Sequence, residues 1–191
     1  MSMPEKNFIP ALPGFADHGA LFDFLGAWNR WRAGALAPKR SEVRLQDMQN
    51  LMRGMMLMDV RDADHVMFRY VGSLYQDIYG YDFTGLNYLD ITEAKVRELR
   101  SRRLWSVVAQ PVVAVWTTPS VLGTDFIGVS VPLFPDAPDT VRKIMQVLVP
   151  IREYHHIAAE RQRRNQKHVE FSDQFRYIDI GAGVPDRRLE A

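Results

Sequence analysis

Five histidines, His18, His65, His155, His156 and His168, are the side chains that could ligate a metal or move a proton near neutral pH. Only His155 and His156 are adjacent. Neighbours on a helix point about 100° apart, so the pair cannot readily chelate one ion and reads as a solvated helix face. Asp59, Asp62 and Asp64 gather carboxylates at a turn but lack the glycine and the terminal glutamate of a calcium loop. No metal site is expected. The chain has no cysteine, which removes disulfides, thiolate metal sites and thiol nucleophiles together. There is no Gly-x-Ser-x-Gly elbow, no His-Glu-x-x-His and no Gly-x4-Gly-Lys phosphate loop. Gly181-Ala182-Gly183 begins like a dinucleotide fingerprint, but its third glycine position is Asp186 and it lies in a tail. No catalytic residue emerges, and the chain is not expected to be an enzyme.

What remains is aromatic. Tyr70, Tyr75, Tyr79, Phe83, Tyr88, Trp105 and Trp116 could line a cavity in which ring faces bury a ligand and hydroxyls orient it. The competing reading is that the same rings fill the core. Arg69 has two readings as well, a charge for an anionic ligand or a surface pair with Asp82, and the pair is expected.

The elements that must position these residues follow from periodicity. Leu21, Leu25 and Trp28 recur at helical spacing over residues 18–32, with Asp17 as the expected N-cap and Gly34 as the stop. Val43 to Met52 suggests a short second helix. Met55 to Val60 is a compact apolar run, Arg61 to Asp64 a polar turn, and His65 to Gly72 alternates with Val66, Phe68 and Tyr70 on one face. This reads as a hairpin. Residues 72–89 place glycines among aromatics and predict short helices. A longer helix is expected from about residue 92 to 108, with Val96, Leu99, Arg103 or Leu104 and Val107 inward and Lys95, Arg97, Arg100 and Arg102 facing water. Residues 111–118, 123–134 and 142–151 show β-branched alternation and predict an antiparallel meander. The order is that of an α+β fold with one sheet face covered. Residues 152–167 follow as a charged helical stretch, and residues 171–191 as a tail.

Composition sets further bounds. With 191 residues, 47% of them hydrophobic, the chain fits one domain with a real core. Its 24 Lys+Arg against 23 Asp+Glu leave a net charge of +1, so no overall field draws it to nucleic acid or anionic lipid. The basic residues Arg152, Arg161, Arg163, Arg164 and Lys167 are diluted by Glu153, Glu160 and Glu170, which favours a solvated or dimer-contacting helix over a nucleic-acid surface. No apolar run approaches membrane-spanning length. The amino terminus, broken by Pro4, Pro10, Pro13 and Gly14, does not read as a secretory signal, and the expected location is the cytoplasm.

Several consecutive segments go beyond element order: Trp28 to Trp31 with Leu36-Ala37-Pro38-Lys39-Arg40, the strand ending Asp59-Val60, Phe68-Arg69-Tyr70-Val71-Gly72-Ser73, and Gly80-Tyr81-Asp82-Phe83-Thr84-Gly85. In these the chain resembles the single-domain alphaproteobacterial PAS family over roughly residues 21–151. The resemblance implies a PAS-like five-stranded antiparallel sheet with helices on one face, plus an N-terminal helical cap and a C-terminal helix. It divides the chain into an extension and cap (1–53), a PAS-like domain (54–152) and a charged helix and tail (153–191). It further implies a sensory or protein-interaction module in bacterial signal transduction, with any small ligand held between sheet and short helices, a partner protein as output, and homodimerisation through the flanking helices. No cofactor is named by it. The cysteine adduct of light-oxygen-voltage flavin proteins is excluded, and no histidine lies in the helical cluster where an axial haem ligand would sit. Two alternatives share these features: a small α+β-barrel enzyme of the nuclear-transport-factor type, whose helices should precede a long meander, and a structural adaptor with a filled core.

Overall fold

The structure is a computed structural model that describes residues 11–121, 124–138, 140–151 and 174–191. Helix α1 (Gly19–Arg32) buries Leu21, Leu25 and Trp28, the stripe expected from the spacing, together with Phe24 and Trp31. Its N-cap is His18 rather than Asp17, with Nδ1 of the ring accepting from the Ala20 N–H at 3.2 Å. The helix ends on Ala33, whose φ of 47° and that of Gly34 at 91° turn the chain out of the helical path. The second helix is a 3-10 helix, Leu45–Gly54, kinked at Met48.

Strands β1 (Met55–Val60) and β2 (Val66–Val71) form the expected hairpin. Its turn is built by Asp62, whose carboxylate accepts from the N–H groups of Asp64 and His65 and faces the His65 ring. The His65 imidazole and these N–H groups hold the Asp62 carboxyl below its ordinary range. Register shifts inside the hairpin: Leu57 pairs with Tyr70 and Met58 with Phe68, so Arg69 is an extra residue in β2. Such a bulge reverses the alternation beyond it. Phe68 therefore faces one side of the sheet and Tyr70 the other. Along the outer edge of β2, the Phe68 N–H donates to the Leu86 carbonyl at 3.0 Å and the Gly85 N–H donates to the Phe68 carbonyl at 2.9 Å.

Helix α2 (Ser73–Tyr79) stops at Gly80, where φ is 83°. A 3-10 turn, Tyr88–Ile91, leads to helix α3 (Ala94–Ala109), and β3 (Val112–Val121), β4 (Thr124–Leu133) and β5 (Arg142–Pro150) complete the meander. The sheet order is β2-β1-β5-β4-β3-β6, with all pairings antiparallel. The sixth strand is a correction to the five expected. Strand β6 (Phe175–Asp179), read from sequence as tail, pairs along β3, and a 3-10 turn, Arg187–Glu190, follows it. The charged stretch expected over 152–167, with His155, His156 and later His168, lies outside the described residues.

Period-2 alternation sorts the strands onto two cores. Val113, Val115, Ile127, Val129, Val131, Met145 and Val147 pack under α1 and the Leu45–Gly54 helix. Met56, Met58, Val112, Ala114, Ile144 and Leu148 face α2, the Tyr88–Ile91 turn and α3. The N-terminal cap thus covers one face and the short helices the other. None of the described helices is long and apolar enough to cross a membrane.

Candidate functional site

Between the second face and its helices lies a cavity of about 70 Å³. Five of the seven aromatic candidates line it: Tyr75 and Tyr79 from α2, Phe83, Tyr88 and Trp116. Two do not. The bulge at Arg69 turns Tyr70 to the opposite face, where its hydroxyl donates to the Met52 carbonyl at 3.2 Å. Trp105 is half-buried against the edge of the same core, in a separate groove with Val60, Arg61 and Arg142.

Arg69 does not pair with Asp82. Its Nε donates to Asp59 at 2.6 Å, and Lys143 takes the other carboxylate oxygen. Asp82 instead accepts from the Thr84 N–H and hydroxyl at 2.9 and 2.7 Å, which lower its pKa. The charges of the cavity come from an unexpected source. Arg100, expected to face water, is 5% exposed, and Arg103, one turn on, is equally buried. Both line the cavity with Leu104 and Val107. The spacing 100, 103, 104, 107 is that of one helix face, so periodicity carried the signal and the charge obscured it. The inward strand positions also hold polar residues: Thr118 on β3, and Ser130 and Gln146, which are partners in register on β4 and β5. Polar side chains at inward positions of otherwise apolar strands were the sign of this wall.

Hydrogen bonding divides these groups. Arg103 Nε donates to the Leu189 carbonyl at 2.6 Å and Nη2 to the Ala191 carbonyl at 3.1 Å, with the guanidinium 4.2 Å from the Phe175 ring centroid. Burial lowers the Arg103 pKa, Tyr177 opposes this, and the neighbouring Arg100 charge adds to the lowering. Arg100 Nη1 donates to the Tyr88 hydroxyl at 2.5 Å. Three buried polar atoms have no hydrogen-bond partner among the described residues: Arg100 Nη2, the Tyr75 hydroxyl and the Thr118 hydroxyl. All three belong to residues of this cavity. Burial pushes the Tyr75 phenol well above the ordinary tyrosine value, with Tyr79 and Tyr88 adding to the rise, so it stays a hydrogen-bond donor across the neutral range. Leaving a buried donor unmade costs about 1–3 kcal/mol. Three such groups around one space mark a site for an acceptor.

A family model described as a PAS domain matches residues 16–148. Among solved structures the chain is similar to the PAS domain from Bordetella pertussis BvgS, at 16% identity and a TM-score of 0.41, covering 62% of this chain and 91% of that one. No curated protein matches the chain. The family match spans more than half of the sequence, contains the hairpin, the short helices and α3 that enclose the cavity, and shows that the chain belongs to the PAS domain family.

Proposed function

We propose that this chain is a non-catalytic sensory PAS module that binds a small molecule in the cavity between sheet and helices and passes occupancy to a partner protein. The observation that carries the reading is the convergence of Arg100 Nη2, Tyr75 Oη and Thr118 Oγ1, all unpartnered, on one cavity. A structural adaptor with a filled core would bear this cost for no return. The nuclear-transport-factor reading is set aside by the family match. Binding rather than turnover suits the lining, which among the described residues holds no carboxylate, histidine or lysine to act as a general base.

A path for the signal is available through Arg103, which touches the cavity and also grips the carbonyls of Leu189 and Ala191. We extend the proposal to homodimerisation through the flanking helices, a reading that Phe22, exposed on α1, supports. Light scattering that reports a monomer at tens of micromolar overturns that part. The binding part is tested by native mass spectrometry of the purified chain, followed by the Tyr75→Phe and Thr118→Val variants. A co-purifying small molecule, released on denaturation and depleted in both variants, is the expected result. A clean apo mass together with no thermal shift from any of a broad set of metabolites overturns it.

A further inference from the structure

The chemistry of the cavity wall defines the class of ligand. A guanidinium is cationic at physiological pH, and Arg100 Nη1 is taken by an acceptor that brings no counter-charge, the Tyr88 hydroxyl. Among the described residues no carboxylate forms an ion pair with it. A guanidinium buried to 5% exposure without a counter-charge is costly unless an anion joins it. The second guanidinium of this wall, Arg103, raises the positive potential further, and Glu190 is the carboxylate whose field reaches it.

We propose that the cavity binds a short aliphatic monocarboxylate, with its oxygens on Arg100 Nη2, the Tyr75 hydroxyl and the Thr118 hydroxyl and its alkyl end against Met56, Ala114 and Leu148. This assignment rests on the cavity being a ligand site. The donors come from α3, α2 and β3, so they surround a common space rather than line one element. A carboxylate accepts about four hydrogen bonds and brings one charge, which three donors including one guanidinium satisfy. A phosphate brings more oxygens and more charge than these donors can meet. A second carboxylate on the ligand would be pressed into the apolar wall. Size narrows the class further: a cavity of about 150 Å³ takes the six carbons of benzene, so about 70 Å³ takes roughly three to five heavy atoms.

The test uses the full chain in a carboxylate-free buffer, with calorimetry and thermal melting against acetate, propionate, butyrate, succinate, inorganic phosphate and the neutral isostere propionamide. Propionate or its neighbours should bind and raise Tm, while propionamide, succinate and phosphate bind at least tenfold more weakly. Arg100→Met should weaken propionate binding by about 10- to 100-fold. The same variant without ligand should melt no lower than the parent, because removing an unpaired buried charge is neutral or stabilising. Arg100→Lys keeps the charge but loses the planar fork, and should fold and bind more weakly. Propionamide binding as tightly as propionate, or Arg100→Met binding propionate like the parent, overturns the carboxylate while the ligand-site reading stands. Preference for phosphate does the same. If none of the probes binds, the carboxylate assignment falls; if in addition the native mass is that of the bare chain and no broader set of metabolites shifts Tm, the ligand-site reading falls with it.

Discussion

Trp116 and Gly128 face each other in register on β3 and β4, and a Cβ at position 128 would come within 2.2 Å of the indole ring. Glycine here is required by close approach and not by backbone conformation. Gly128→Ala should therefore displace the indole that lines the cavity, at a cost of about 1–3 kcal/mol in urea unfolding and with loss of whatever the cavity takes up. Unfolding curves and ligand-induced thermal shifts measured on the same variant check both. Single residues also show where sequence reasoning works and where it fails. Tyr75, Tyr79, Phe83, Tyr88 and Trp116 were legible because aromatic residues crowd the short helices and one strand. Tyr70 was not, because one unpaired residue, Arg69, shifts the register and nothing in the alternation of 66–71 announces it. Arg100 failed for the opposite reason. Its spacing was inward, but the general preference of charge for water overrode the spacing.

At the level of elements, β1 to β5, α1 and α3 all fall close to where periodicity puts them, since each pairs or packs with near neighbours in the chain. Strand β6 was illegible. Its five residues, Phe175 to Asp179, alternate as a strand should, yet the partner is β3, far back in the sequence, and no short turn links the two. Such a strand is declared only by the tertiary fold. What fastens its end is Arg103, through the carbonyls of Leu189 and Ala191 and the face of Phe175. Arg103→Gln should release this segment: hydrogen exchange should quicken across residues 175–190 while α1 and β1 keep their protection. Uniform exchange across the chain in the variant would show that Arg103 supports the whole core rather than this strap.

The described residues form a single sheet with a core on each face, and the stability of this fold should fail in alkali for a definite reason. Burial pushes the Tyr177 phenol up to about 12, and the Tyr75 phenol rises well above its ordinary value for the same cause. The unfolded chain ionises these groups near pH 10. Their contribution is fully present below about pH 10 and is lost as pH climbs toward 12, where the folded protein must yield buried phenolate. Tyrosinate absorbance should show the late class of tyrosines ionising together with the loss of far-ultraviolet dichroism. Early ionisation of all seven tyrosines with the fold intact would contradict the burial. The segment carrying Gly85 and Leu86, bonded along the outer side of β2, has a further effect at this scale. An outer strand with bare amides is a template, and another chain can extend it rung by rung until a fibril forms. Here the Phe68 amide and carbonyl are both already engaged, which interrupts the ladder that an incoming strand would need in the middle of this rim and hinders one route to self-association that leads to aggregates.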